Sequence, residues 1–387
     1  MNVVFLSPHF PPNWYHFVVA LRRAGANVLG IADAPYQELR PELRDALTEY
    51  YQVGDMANED EMVRAVGWLT HRHGRIDRLD SLNEHWLELE ASLRTSFNIE
   101  GIRTDSIAVI KRKSLMKERF ERAGLRPAVG RVCRTPAELR ELIEEVGYPV
   151  VAKPDVGVGA ARTYKLADDV DVDHYLVDKP ATDYIVEAWI DGTIVTYDGL
   201  TNRFGEVVFA TSMTLRTTVL DSVILGLDMT YWITREIPAD LEAAGLAVAR
   251  AFDVRERPFH FEFFRLGDGS LVPIEVNMRP PGGPSVDMAN WATDFDLYQA
   301  WANVMVHGVI DATVSRPWNC MFVGRREARP YARSHEAVLA EFAPLLVHHS
   351  RIEPIFSSAM GDYAYILRSP DMEPLLAAAA AIQERAP

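Results

Sequence analysis

The chain has 387 residues, 48% of them hydrophobic and 25% charged, with a formal net charge of −15. That length and composition predict two or three globular units, each with ample core. The acidic balance speaks against a nucleic-acid partner, which needs a basic face, and no apolar run approaches the roughly 20 residues that span a bilayer, which speaks against a membrane. The only cysteines, Cys133 and Cys320, lie far apart and make no CxxC or zinc spacing, so a cytoplasmic chain with reduced thiols is expected. The start, MNVVFLSPHFPP, lacks a basic segment and is cut by Pro8, so it reads as a strand and loop rather than a secretory leader. A negative chain can still bind a nucleotide, because a local cluster of Lys, Arg and Mg²⁺ suffices for phosphate.

The first hundred residues alternate strand and helix signals. Residues 3–6, 27–31 and 77–82 read as short buried strands, and residues 14–24 and 59–73 as helices, the first closed by Gly25. Strands spaced by helices predict a parallel sheet. Ligands of such sheets sit beyond the C-terminal strand ends, where Ser7-Pro8-His9, Asp33 and Asn83-Glu84 fall. A boundary is expected near Gly101 to Asp105. Residues 105–123 then predict one helix with a basic face of Lys111, Arg112, Lys113 and Lys117, ended by Gly124. Thr135-Pro136 starts another, which runs through Glu145 to Gly147. Residues 148–153 predict a buried strand that ends in Lys153 and leads into a glycine-bearing loop with Gly157 and Gly159. Residues 184–190 and 193–200 predict strands around the Asp191-Gly192 turn. Residues 238–252 and 287–306 predict two helices. From about Pro317 the character changes to short strands at 321–323 and 363–367, a helix at 336–342 and an Ala-rich terminal helix, which predicts a small α+β unit.

The chemistry concentrates in residues 259–283, FHFEFFRLGDGSLVPIEVNMRPPGG. Gly267-Asp268-Gly269 is a hairpin turn signal between two strand-like runs. Such a hairpin brings Glu262, Glu275 and Asn277 to one end of a sheet, and three hard oxygen ligands suit Mg²⁺. Arg279 adds a fixed cation for a phosphate or carboxylate. Lys153 ends an apolar strand, where its ammonium needs an anionic partner. Gly157 and Gly159 would let backbone N–H groups approach phosphate oxygens; alone, the loop fits a flexible hairpin equally well, and it is neither a dinucleotide fingerprint nor a P-loop. Glu187 interrupts the apolar run Tyr-Ile-Val-Glu-Ala-Trp-Ile, as a slot for an adenine ring would require, or as half-exposed alternation would.

The order of these features resembles the ATP-grasp superfamily, of the biotin carboxylase and carbamoyl phosphate synthetase type, from about Lys113 to Gly283. KRKSLMKERFERAGL resembles the helix that supplies the first ATP-phosphate lysine, and its spacing favours Lys113 over Lys117. GYPVVAKP resembles the strand of the second lysine, Lys153, and VEAWIDG the adenine hinge, with Glu187 and the backbone of Ala188, Trp189 and Ile190 on the base. The family often has Gly-Glu after the hinge; here it is Gly192-Thr193, and Asp198 is the expected replacement for the ribose contact. The implied fold is α/β and α+β: an N-terminal parallel α/β domain over 1–102, a two-lobed ATP-grasp domain over 103–312 with lobes of about 103–186 and 187–312, and a small C-terminal unit over 313–387.

The resemblance implies an ATP-dependent ligase with ATP and two Mg²⁺ ions, Mn²⁺ being an alternative, that joins a small carboxylic acid, foremost an amino acid, to an amine through an acyl phosphate. Lys113 and Lys153 would bind α- and β-phosphates, and Glu262, Glu275 and Asn277 the metal. Arg279 would hold the acid. Asn83, Glu84, Arg279, Gly282 and Gly283 would contact the substrates, with Arg216 and Arg235 as further candidates for an anion. Family habit allows a homodimer. The competing expectations are a phosphotransferase, a bicarbonate-activating enzyme and a catalytically quiet ATP-binding module.

Overall fold

The computed structural model describes residues 1–157, 162–310 and 313–386. Strands β1 (Asn2–Leu6), β2 (Asn27–Ala32), β3 (Glu49–Gln52) and β4 (Arg78–Asp80) form a sheet in the order β3-β2-β1-β4, every pair parallel. Helices Tyr15–Arg23, Pro41–Ala46 and Glu59–His73 lie in the crossovers. β1 and β2 are buried on both faces, as a sheet covered by helices on two sides requires.

The next unit is a small antiparallel sheet. β5 (Gly130–Val132), β6 (Val150–Pro154), β7 (Tyr164–Leu166) and β8 (Tyr184–Ala188) run in the order β5-β8-β6-β7. Helix Pro136–Val146 packs on it and opens with a complete capping box of Thr135 and Glu138.

The largest sheet has nine strands. β9 (Thr193–Thr201), β10 (Val207–Thr211), β11 (Met213–Leu215), β12 (Thr230–Ile233), β13 (Pro258–Arg265) and β14 (Leu271–Asn277) come from the middle of the chain. β15 (Asn319–Arg325), β16 (Leu346–Arg351) and β17 (Tyr363–Ser369) come from its end. The order is β14-β13-β9-β11-β12-β15-β17-β16, with β10 on β9. The C-terminal segment therefore extends the central sheet through the β12–β15 pair, and its helices His335–Glu341 and Met372–Ile382 cover that end. Among the described residues no helix is long and apolar enough to cross a membrane.

Two long predicted helices are each broken. The one expected over 105–123 divides into Ala108–Lys111 and Lys113–Arg122, because Arg112 is extended (φ −97°, ψ 114°). The remote Asp155 supplies the cap: its carbonyl accepts from Lys113 N at 2.9 Å and its carboxylate from Ser114 N at 2.8 Å. The one expected over 287–306 divides into Ser285–Thr293 and Leu297–His307, where Asp294 is left-handed (φ 48°) and Asp296 caps Gln299.

A buried charge network bolts the N-terminal domain to the β13–β14 hairpin. Arg94 donates to Glu90 at 2.7 Å and to the Leu79 carbonyl, and lies 3.3 Å from Asp80. Arg257, next to β13, reaches Asp80 at 3.3 Å and donates to the Met278 carbonyl beyond β14 at 2.8 Å. All four charged side chains are buried. Removing one partner of such a set leaves charge in low dielectric without compensation. Arg94→Met is expected to lower stability by about 3–5 kcal/mol, read from the urea midpoint; an unchanged midpoint would mean the network adds no stability.

Candidate functional site

The β13–β14 hairpin forms one wall of the site. Along β13, Phe259, Phe261 and Phe263 are fully buried in the core, while His260 and Glu262 occupy the alternate face. Glu262 lies directly opposite Glu275, and a bulge follows between Glu262 and Phe263. Opposed carboxylates repel unless a cation is close. Protein cations stand there: His260 Nε2 is 3.0 Å from Glu262 Oε1, and Lys113 Nζ is 3.3 Å from Glu275 Oε2. Asn277 Nδ2 donates to Glu275 Oε1 at 3.4 Å.

His260 is also held from β9. Its Nδ1 lies 2.5 Å from Asp198 Oδ1, and the other Asp198 oxygen accepts from Thr196 Oγ1 at 2.5 Å. Burial pulls the imidazole pKa down, but Asp198 and then Glu262 outweigh burial and raise it to about 9. His260 is therefore a cation at neutral pH. Asp198, expected at a ribose, is buried with both oxygens engaged behind the hairpin carboxylates.

The facing wall comes from the small sheet and helix Lys113–Arg122. Lys113 and Lys117 are one turn apart on the same helix face. Lys117 Nζ pairs with Glu187 and donates to the Ala128 carbonyl. Lys153 Nζ lies 2.6 Å from Glu187 Oε2; Val151 is the strand partner of Glu187, so Lys153 is its diagonal neighbour. Burial pulls the Lys153 ammonium down, but Glu187, with Glu275 and Glu262 behind it, holds it above the ordinary lysine value. Burial likewise pushes Glu187 and Glu275 up, and the lysines hold both below the ordinary glutamate value: Lys153 and Lys117 for Glu187, Lys113 and Lys153 for Glu275.

Three lysines and one histidine cation thus meet Glu187, Glu262, Glu275 and Asp198. The donor set at the hairpin, two carboxylates and an amide carbonyl, fits a hard divalent cation that keeps its remaining positions for phosphate and water. Among the described residues no three His, Cys, Asp or Glu side chains converge as a metal-binding group; the third oxygen of the set is the amide of Asn277.

Around this core, Ala188 N donates to Val129 O at 2.8 Å and Trp189 N to Pro149 O at 3.1 Å, which fixes the strand end before Ile190. Lys165 Nζ stands 4.0 Å over the Trp189 ring. The Gly157 carbonyl accepts from Lys113 Nζ at 3.2 Å, whereas Gly159 lies outside the described residues. On the N-terminal side, Lys111 Nζ lies 2.7 Å from Glu84 Oε1. Glu84 Oε2 is buried without a hydrogen-bond partner among the described residues, with Arg279 Nε 3.9 Å away. Asn83 Oδ1 accepts from His85 N, so that side chain caps the short Glu84–Trp86 helix. Gly282 and Gly283 follow the hairpin; Gly283 is left-handed (φ 61°) and its carbonyl accepts from Asn13 at 3.2 Å. Arg235, which is exposed, donates to the carbonyls of Arg316 and Pro370 at 3.1 and 3.3 Å.

His260 and the pairing of Lys117 were not anticipated. The signal for His260 was present: two residues before Glu262, it shares that residue's face of a period-2 strand. Lys117 required knowing that Glu187 faces the helix.

Residues 146–287 match the model of an ATP-grasp domain. The chain is 25% identical over 256 residues to an L-arginine-specific L-amino acid ligase of Bacillus subtilis, a match covering 62% of this chain and 60% of that relative's length. In structure it is similar to an L-amino acid ligase from Bacillus licheniformis, with a TM-score of 0.76 and 16% identity over 98% of this chain and 96% of that one. It is also similar to the biotin carboxylase domain of the Hydrogenobacter thermophilus 2-oxoglutarate carboxylase in complex with MgADP, ADP and bicarbonate, with a TM-score of 0.70 and 15% identity over 100% of this chain and 90% of that one. At these identities the two structures establish the fold.

Gly130 shows how tightly Glu187 is placed. A Cβ at Gly130 would stand 2.3 Å from Val186 O and 2.7 Å from Glu187 Cα. Gly130→Ala is expected to cost about 1–3 kcal/mol by forcing the backbones apart, seen as a lower urea midpoint; a wild-type midpoint would show that β5 and β8 separate freely.

Proposed function

We propose that this chain, whose residues 146–287 match an ATP-grasp domain, is an ATP-dependent carboxylate–amine ligase, joining an amino acid or similar small acid to an amine through an acyl phosphate with release of ADP and phosphate. The observation that carries this reading is a set of three lysines, Lys113 buried and Lys117 and Lys153 partly buried, held on Glu187 and Glu275. Buried ammonium groups need anions, and the phosphates of ATP are anions of the right kind. Lys113 and Lys153 would take the α- and β-phosphates. Glu262, Glu275 and Asn277 would hold Mg²⁺, as two ions or one, which when bound supplies charge neutralisation at the β- and γ-phosphates. Glu187 and the backbone at Ala188, Trp189 and Ile190 would seat the base.

The carboxylate of the acid would attack the γ-phosphorus, with ADP as leaving group. The amine nitrogen would then attack the acyl carbon and expel phosphate. Arg279 would hold the acid and neutralise the oxygens that gather charge. The Arg279–Glu84 pair supports an amino acid as the acid. A guanidinium there can meet a carboxylate, and Glu84 Oε2, buried and without a hydrogen-bond partner among the described residues, can accept from an ammonium. The resemblance to an L-amino acid ligase agrees with that choice. Asn83, Gly282 and Gly283 would complete the substrate side, and a cytoplasmic homodimer is the expected form.

The test is ADP release with a panel of amino acids and other small acids, each with and without amines. Release that needs both acid and amine is expected, and Glu275→Ala should lower it by at least about 100-fold. Release with acid alone would indicate a phosphotransferase, release with bicarbonate a carboxylase-type enzyme, and ATP binding without turnover a quiet module. Near-normal release by Glu275→Ala would sink the metal assignment.

A further inference from the structure

At the far end of β15 lies a second cavity, of about 610 Å³. Its walls come from the end of β15 and the turn after it, the start of helix His335–Glu341, and β16 and β17, so none of the elements that carry Lys113, Lys153, Glu187 or the metal hairpin lines it. In a chain of net charge −15, five arginines line it, Arg325, Arg326, Arg329, Arg333 and Arg351, against two acids, Glu327 and Glu336.

Four of the arginines are accounted for by the protein. Arg326 donates to the carbonyls of Ser222, Leu227, Ser357 and Ser358. Arg329 lies 3.2 Å from Asp228, and Arg333 lies 2.9 Å from Glu341 and 2.5 Å from Glu384. Arg351, exposed at the rim, lies 2.6 Å from Glu327.

Arg325 differs. It is 94% buried (6% exposed), and its Nε and Nη1 donate to the carbonyls of Ile382 and Arg333 at 2.6 and 3.0 Å. Among the described residues its buried Nη2 has no hydrogen-bond partner. The guanidinium is stacked 4.4 Å from the Tyr331 ring and 5.6 Å from the Tyr365 ring, which fixes its plane. Among the described residues its charge is met by two ring faces and the field of Asp228 rather than by an ion pair, and one buried donor stays without a hydrogen-bond partner. Beside it, His335 joins the hydroxyls of Tyr365 and Tyr363 at 2.8 and 3.2 Å, which adds polar groups able to donate.

We propose that this cavity is a second ligand site, separate from the nucleotide cleft, for a small anion bearing two or more charged oxygens as phosphate or carboxylate, with Arg325 as the buried anchor and Arg351 at the entrance. A planar guanidinium fork matches either oxyanion, and the volume lies in the range of small-molecule sites. The site goes beyond the ligase reading and does not depend on it.

Isothermal titration of the full chain with pyrophosphate and, separately, with citrate, both in the presence of Mg-ADP, tests the proposal. Saturable binding of one equivalent is expected from at least one probe; pyrophosphate alone identifies a phosphate ligand, and citrate alone a carboxylate ligand. Arg325→Met should weaken it by about 10-fold or more, the loss of one charge-assisted hydrogen bond. Arg351→Gln, an exposed change that leaves the fold intact, should also weaken it and decides the matter if Arg325→Met does not fold. No saturable binding of either probe overturns the proposal, as does affinity unchanged by the substitutions.

Discussion

A buried ammonium group cannot be left without an anion, and the middle of this molecule is arranged around that requirement. Lys113, Lys117 and Lys153 come from a helix and a strand of the small sheet; Glu275 comes from the large one. An isolated charge of this kind costs several kcal/mol in low dielectric. Helix Lys113–Arg122 packs in the same core as the hairpin, where Lys113 meets Glu275, and its Lys117 reaches Glu187 of the small sheet, so the two pairings remove that cost and tie the walls together through the helix. The Lys113 pairing compensates the charge of Glu275, which the hairpin register places directly opposite Glu262. A divalent cation and a polyphosphate arriving together can replace both sets of internal partners, with the metal on the carboxylates and the phosphates on the lysines.

The scaffold explains why these charges meet. Asp155 follows Lys153 by two residues and caps helix Lys113–Arg122, so the strand lysine and the helix lysines are positioned by one short segment. On the other wall, phenylalanines at alternate positions of β13 fix which face carries His260 and Glu262. Asp198 and His260 then back Glu262 from inside the sheet. Arg257 links the hairpin to Asp80 and hence to the N-terminal domain, where Glu84 meets Lys111 and approaches Arg279.

Much of this was legible in the sequence because it rests on short-range patterns. Gly267-Asp268-Gly269 between two apolar runs specifies the hairpin, and its strand spacing sets Glu262 near Glu275. Thr135-Pro136 with Glu138 specifies a helix start that the structure repeats as a full capping box. Other features depend on partners distant in sequence. Nothing local announces that Arg112 leaves the helical region, because the group that rewards the break is Asp155, 43 positions later. The Asp294 break had a nearer signal in the Asp296 cap, outweighed by the continuous apolar pattern around it. Two of the C-terminal strands, β15 and β17, are legible as strands, whereas β16, with its polar His348-His349-Ser350, is not, and the membership of all three in the central sheet depends on β12, a pairing no local pattern encodes. Lys113 and Lys117 are equivalent by helix periodicity, and only the fold assigns one to Glu275 and the other to Glu187.

The most direct measurement is a crystal structure of the chain with Mg²⁺ and a non-hydrolysable ATP analogue. Lys113 Nζ should leave its 3.3 Å contact with Glu275 for a phosphate oxygen, with the metal between Glu262 and Glu275 and Lys153 on a phosphate. A structure with nucleotide bound but the Lys113–Glu275 and Lys153–Glu187 pairs intact, and no metal on the hairpin carboxylates, would contradict the exchange of partners on which the proposed chemistry rests.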